Sequence, residues 1–274
     1  VRAASFAVAG ARDVAVVRGV SAVDGSGDVT DVAFVAHDDG VSVVDVFGRD
    51  NAALPPFELA RFAGHRVRAV DVVDGAASQS PRFVAVADDG VFVVDVRRAL
   101  SPDRGARARG GARSDDALDV VSSFAFDGRG VTRLRLLDRY GFIAGDDGVD
   151  VVEFADTVPA GASAAAVDLG AVVGVVAHLD ADFAADVAVR GRFAWVACAE
   201  GVVGYDVGAL VFGADADVER VAVIDLPAAR GVAVFGNRLW IADEDRGVVV
   251  VDVSVAADPV VEEVVGGPVA TPLR

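Results

Sequence analysis

Short apolar runs, dense in valine and phenylalanine, alternate along the whole chain with clusters of aspartate, glycine and proline. Runs of four to seven residues bounded in this way predict β-strands, and no helical stripe is longer than about ten residues. One unit recurs. Asp38-Asp39-Gly40 leads into Val41-Ser42-Val43-Val44-Asp45-Val46, and Asp88-Asp89-Gly90 and Asp146-Asp147-Gly148 lead into equivalent runs that carry Asp95 and Glu153. Weaker copies turn at Gly201 and Gly247 and carry Asp206 and Asp252. In all five the acid lies five residues after the glycine, while the glycines themselves are 50, 58, 53 and 46 residues apart. Aspartate bonds readily to nearby backbone and glycine accepts positive φ, so Asp-Asp-Gly reads as a tight turn launching the most apolar strand of each unit.

The surroundings repeat as well. A strand precedes each turn (Val32 to Ala36, Phe83 to Ala87, Gly141 to Ala144, Phe193 to Ala197, Leu239 to Ala242), and another precedes that one (Asp13 to Val17, Val67 to Val73, Val131 to Leu137, Asp186 to Val189, Gly231 to Phe235). A fourth follows (Phe57 to Phe62, Val120 to Phe126, Ala171 to Ala177, Glu219 to Asp225, Val260 to Val265). Four short antiparallel strands in about 40 to 60 residues is the arithmetic of a β-propeller blade. A β-sandwich competes, but gives no reason for five copies of one turn. The expected class is all-β: a propeller of four-stranded antiparallel blades in a single domain, 1–274. Its repeats run approximately 3–56, 57–119, 120–168, 169–220 and 221–259, with 260–274 as an extra outer strand and tail. Ser5 to Ala9 is also expected to be an outer strand, one more than five closed blades need. That surplus points to a piece of a six- or seven-bladed ring.

These residues resemble the LVIVD-repeat β-propeller family. The fullest copy is Ala229-Arg230-Gly231-Val232-Ala233-Val234-Phe235, then Leu239-Trp240-Ile241-Ala242-Asp243, then Val248-Val249-Val250-Val251-Asp252-Val253 and Asp258-Pro259. Asp186-Val187-Ala188-Val189 with Phe193-Ala194-Trp195-Val196-Ala197 follows the same pattern. The resemblance implies the fold, and an exported or surface-associated protein with no assigned reaction; it transfers no catalytic residue. The copies also differ. Glu153 replaces aspartate, Ala199-Glu200 precedes Gly201, and the turn before Gly247 is one residue longer. Phe83 lies seven residues before its glycine whereas Phe34, Phe142 and Trp195 lie six before theirs, which at a period of two puts Phe83 on the other face unless a bulge intervenes.

Composition narrows the function classes. There is no lysine or methionine, and only seven of the 42 acids are glutamate. The net charge of −17 argues against nucleic acid or an anionic membrane as partner. Halophily and codon bias both remain open as its origin. One cysteine excludes an internal disulfide and a multi-thiolate zinc site. No apolar run approaches the about 20 residues of a transmembrane helix. Val1-Arg2-Ala3-Ala4-Ser5 is neither an initiator start nor a signal peptide, so the chain is expected to be part of a longer one.

Candidate chemistry is sparse. The paired acids Asp38, Asp39, Asp88, Asp89, Asp146 and Asp147, with His37, are the candidates for a cation site, calcium being the ion two adjacent carboxylates per turn would suit; no other cofactor is expected. Gly40, Asp45, Gly90, Asp95, Gly148, Glu153, Gly201, Asp206, Gly247 and Asp252 are expected to be structural, the acids bonding to strand ends or ringing the mouth of a channel. Cys198 is expected to be a buried apolar residue. Phe34, Phe142, Trp195 and Trp240 are expected to fill the space between successive blades. Insertions at Arg18 to Thr30, Ala76 to Pro81 and Arg97 to Asp119 would form loops, the last rich in arginine. The expected function is a non-catalytic scaffold binding a protein or glycan through rim loops, extracellular or at a cell surface. The alternative is a hydrolase or lyase with a metal-assisted site at the central channel, built on His37, His65 or His178. Oligomeric state is not legible from the sequence.

Overall fold

Continuous apolar runs such as Phe83-Val84-Ala85-Val86-Ala87 give a strand two apolar faces, and a strand buried on both faces needs a sheet or other cover on either side. The computed structural model describes residues 6–21, 29–46, 56–72, 82–100, 118–156, 169–212 and 218–266. They form five four-stranded antiparallel sheets, each a meander of consecutive strands. Sheet one comprises β1 (Asp13–Ser21), β2 (Val29–His37), β3 (Gly40–Asp45) and β4 (Phe57–Ala63). Sheet two comprises β5 (Val67–Val72), β6 (Arg82–Ala87), β7 (Gly90–Asp95) and β8 (Asp119–Phe124). Sheet three comprises β9 (Arg133–Leu137), β10 (Tyr140–Gly145), β11 (Gly148–Asp156) and β12 (Leu169–Leu179). Sheet four comprises β13 (Asp186–Arg190), β14 (Phe193–Cys198), β15 (Gly201–Asp206) and β16 (Glu219–Ile224), and sheet five β17 (Ala229–Phe235), β18 (Arg238–Asp243), β19 (Gly247–Asp252) and β20 (Val260–Val265). The five sheets match the repeat count. One short helix, α1 (Gly208–Phe212), has no counterpart in the sequence reading.

Two expectations fail. Phe6, Ala7 and Val8 are not in a strand and Ala9 lies in a turn, so the outer strand at Ser5 to Ala9 is not formed over its described part. The insertion at Arg18 to Thr30 partly lengthens the β1–β2 hairpin, with a bulge between Val17 and Val20. There Gly19, at φ +68°, donates its N–H to Asp31 Oδ1. The insertion at Ala76 to Pro81 lies outside the described residues, as do residues 101–117 of the arginine-rich segment.

The chain divides into two compact units, Val1–Arg129 with Glu153–Gly174, and Gly130–Val152 with Val175–Arg274. In the first unit sheets one and two share an apolar core of Phe34, Val43, Phe62, Val70, Phe83 and Phe92 among others. Phe83 packs against Phe34 at 5.3 Å between ring centroids, the rings tilted by 45°. No bulge interrupts the β6–β7 ladder, so Phe83 faces sheet one and Val84 takes the place that Phe34 and Trp195 hold in their sheets. In the second unit one cluster joins Phe142 and Val151 to Val187, Val196 and Val203, and another joins Trp195 and Val202 to Val232, Leu239 and Ile241.

Candidate functional site

The repeated glycine answers to a close approach of backbone. A Cβ on Gly40 would lie 1.7 Å from the Phe62 carbonyl oxygen, and the same clash recurs at Gly201 with Ile224 (2.2 Å), Gly148 with Leu179 (2.5 Å) and Gly90 with Phe124 (2.9 Å). At Gly247 it is the carbonyl of Gly266, at 2.1 Å. All but Gly90 also have φ between +85° and +138°. The turn glycine is therefore where the outer strand crosses its neighbour too closely for a side chain.

The acids ahead of that glycine meet arginines. Asp38 accepts bonds from Arg12 of its own sheet and Arg66 of sheet two, and those guanidiniums hold its carboxyl below the usual range. Asp88 pairs with Arg68 and is lowered for the same reason. Arg230 with Glu244 repeats the pairing in sheet five. Asp89 bonds His65, while Asp146 lies beside Gly130 and Asp147 offers its carbonyl to His178 Nε2. Among the described residues no group of three or more His, Cys, Asp or Glu side chains is arranged to hold a metal ion.

The acids five residues after the glycine bond backbone. Asp95, Asp206 and Asp252 each accept, at Oδ1, the N–H two residues ahead, from Arg97, Gly208 and Ser254. These are Asx turns that end the strand. Asp45 is buried and Glu153 half-buried. Arg97 also pairs with Asp95, and Arg98 with Asp119, so both described arginines of that loop meet acids of their own sheet.

A second set of aspartates, not singled out by the sequence, joins sheets. Asp186 is buried; its Oδ2 accepts the Val232 N–H of sheet five, while Oδ1 accepts the Val187 N–H and Arg133 Nε of sheet three. Asp13 does the same in the first unit, Oδ2 taking the Val70 N–H of sheet two. In both cases the donating sheet carries a bulge just before the donor, between Val67 and Ala69 and between Ala229 and Gly231. The signal was an aspartate at the start of an inner strand, where an apolar residue is the norm.

Each of the three histidines has partners of its own. His37 ends β2 and is buried. Its Nδ1 accepts the Asp39 N–H, which leaves Nε2 as donor to Ser42 Oγ at 3.1 Å; Ser42 in turn donates to Glu58, which also holds Arg61. An imidazole that presents a proton to serine cannot take one from it, so this row is not a nucleophile and its base. Burial, then the Arg61 charge, lowers the His37 pKa. His65 is stacked on Phe62 at 5.1 Å and lies 4.3 Å from the Phe92 ring centroid. His178 comes nearest to the enzyme alternative: Nδ1 is 2.7 Å from Asp150 and Nε2 3.9 Å from Asp180, and the hydrogen bond to Asp150 raises its pKa. Cys198 is buried, and that burial raises its thiol pKa.

Of the four aromatics expected between sheets, Phe34, Phe142 and Trp195 are buried and Trp240 is not. Trp195 is 2% exposed and Trp240 44%. They hold equivalent places, since Trp195 pairs Ala188 and Gly204, and Trp240 pairs Ala233 and Val250. Sheet five packs against Trp195, whereas among the described residues Trp240 belongs to no buried cluster. Phe235, Val248 and Val265 share its face and are exposed too.

The fold resembles several solved structures, each at low identity. PorZ, an essential bacterial surface component of the type-IX secretion system of Porphyromonas gingivalis, matches with a TM-score of 0.54 at 11% identity over 97% of this chain and 29% of that one. The polycomb repressive complex 2 of Chaetomium thermophilum gives 0.53 at 13% identity, over 94% and 52%. The computationally designed Ika8 protein gives 0.51 at 14%, over 86% and 60%. The chain thus spans less than two thirds of the length of each. A comparison with curated proteins finds no match. The LVIVD repeat model matches residues 183–203 and 228–265, which take in part of sheet four and all four strands of sheet five.

Proposed function

We propose that this chain is a non-catalytic, propeller-type repeat module, a rigid scaffold that binds a protein or glycan partner through the loops at its rims, outside the cell or at its surface. The observation that carries this reading is how the rim side chains are spent. Asp38, Asp88, Glu200, Asp206 and Glu244 each hold an arginine, and His65 and His178 each hold an aspartate. Such pairs fix turns to strands and leave the loops between them to vary. All-β repeat architecture suits a scaffold, and no helix among the described residues is long and apolar enough to cross a membrane. PorZ, similar in fold, is a surface component, which agrees with the location proposed.

The test is a binding and turnover comparison on one preparation. The purified chain is screened on a glycan array and against generic ester, glycoside and lactone substrates with and without added divalent metal. Saturable binding to a defined glycan or protein without turnover supports the reading. Turnover that is lost in His178→Ala overturns it in favour of the hydrolase or lyase alternative.

A further inference from the structure

The lead-in to the inner strand repeats from sheet to sheet, and two of its copies differ in charge. Arg12, Thr132 and Ala185 are equivalent, since each donates its N–H to the alanine carbonyl four residues before the turn glycine of its own sheet (Ala36, Ala144 and Ala197). By the same criterion Asp182 in sheet four answers to Arg66 in sheet two. Each offers its carbonyl to the residue two before the turn glycine, Ala199 and Asp88.

The turn acid of sheet one, Asp38, takes two guanidiniums, Arg12 of its own sheet and Arg66 of the next. The turn acid of sheet three is Asp146, and the places of those two arginines are held by Thr132 and Asp182. Thr132 is spent on the Ala144 and Ala184 carbonyls, and its neighbour Arg133 pairs with Asp186. Among the described residues no arginine pairs with Asp146 or Asp182, and both acids are exposed. Phe183 adds an aromatic at the same place, its N–H bonding the Asp146 carbonyl at 2.8 Å. Two residues before Arg12 and Thr132 stand Gly10 and Gly130, at φ +68° and +85°; two before Ala185 stands Phe183, at φ +55°. That conformation disfavours phenylalanine, and burial does not offset the cost, since the residue is 69% exposed.

We infer that the rim of the second unit at Asp146, Asp182 and Phe183 binds an arginine side chain of a partner protein, which meets Asp146 as Arg12 and Arg66 meet Asp38. The two carboxylates supply the charge, and the open phenyl ring supplies a face on which a planar guanidinium stacks. Lysine has neither the fork nor the plane. The net charge of −17 draws a basic segment toward the chain. This rests on the rim reading above and narrows it to a protein partner at one place.

A fluorescein-labelled peptide of alternating glycine and arginine, titrated with the whole chain at about 0.15 M salt and followed by anisotropy, is expected to bind saturably. Its lysine counterpart should bind about tenfold more weakly. Phe183→Gly should weaken binding about tenfold while raising Tm by about 2–4 °C, because glycine suits the backbone there. Asp182→Arg restores the counterpart of Arg66 and should abolish binding. Asp245→Arg, the same charge change on the exposed turn of sheet five, should leave the affinity within about twofold. Circular dichroism checks that each variant is folded. Absence of saturable binding overturns the inference, as does equal affinity for the lysine peptide or a Phe183→Gly chain that binds like wild type. Equal losses in Asp182→Arg and Asp245→Arg overturn it too, since bulk charge alone would then attract the peptide. A glycan-array hit without peptide binding sinks the inference but leaves the rim reading standing, whereas turnover lost in His178→Ala removes that reading and this inference with it.

Discussion

Three residues after the turn glycine, four of the five units carry valine (Val43, Val93, Val151, Val250) and the fourth unit carries Gly204. Judged by the repeat alone, Gly204→Val should stabilise, because glycine in a strand costs about 0.5–1 kcal/mol. The structure reverses the sign. A Cβ at Gly204 would lie 2.6 Å from Trp195 Cζ3, 2.9 Å from Cη2 and 3.0 Å from Cε3. These are atoms of an indole held between two sheets, with Val232, Leu239 and Ile241 on its other side. The ring has nowhere to go without opening the contact with sheet five. Overpacking of this kind costs about 1–3 kcal/mol, and valine, with two methyls beyond the Cβ, belongs at the upper end. After the strand-propensity gain the net loss is about 1–2 kcal/mol, a fall in Tm of roughly 2–8 °C for a domain of this size. Thermal unfolding followed by circular dichroism reads it directly. Trp195→Phe in the same chain restores the combination seen in sheet one, where Phe34 stands opposite Val43, and should recover most of the loss. A single variant as stable as wild type, or a double variant no better than the single, would refute the reasoning.

The other predictions concern the sheet-joining aspartate and the histidines. Asp186→Ala strands the Val232 and Val187 N–H groups and the Arg133 guanidinium, and is expected to cost about 2–4 kcal/mol in urea titrations, against less than about 1 kcal/mol for the exposed Asp180→Ala. Equal losses would deny Asp186 its joining role. His178 has a raised pKa in the fold, so its pairing with Asp150 stabilises fully below the unfolded value of ~6.5 and fades as pH rises through the folded value. His37 has a lowered pKa, so its contribution is present above ~6.5 and is lost as pH falls toward the folded value. His178→Gln should lower Tm more at pH 5.5 than at pH 8, and His37→Gln should flatten the acid side of the Tm profile. Parallel profiles for wild type and variants would contradict both assignments.

All twenty strands of the described residues are legible in the sequence, because short apolar runs and Asp-Asp-Gly punctuation are local signals and these sheets are built from neighbours in sequence. Their contacts across sheets were less so. The spacing puts Phe83 out of phase, but only the unbroken β6–β7 ladder shows that it reaches back to Phe34. Asp13 and Asp186 are legible only as strand starts, since the N–H groups that their Oδ2 atoms satisfy lie 57 and 46 residues away. The Ser42, His37 and Glu58 row was visible as a polar residue in an apolar strand, yet no spacing rule brings Glu58 to it. Trp240 was expected to be buried because Trp195 is its counterpart, and burial depends on the next sheet rather than on the residue.

Each ladder closes within one repeat, which has a consequence for synthesis. At about 5–20 residues per second a repeat of this length leaves the ribosome in roughly 2–12 s, so a sheet can form while the next is still being made. During that interval the sheet's forward face is bare, as Trp240 is in sheet five. Every nascent intermediate then ends in a sticky valine- and aromatic-lined surface waiting for its cover. Electrostatic repulsion between chains of net charge −17 opposes their mutual capture through that surface. Acidity of this degree, whatever its origin in composition, acts as a built-in guard against misassembly of sheets that are still incomplete.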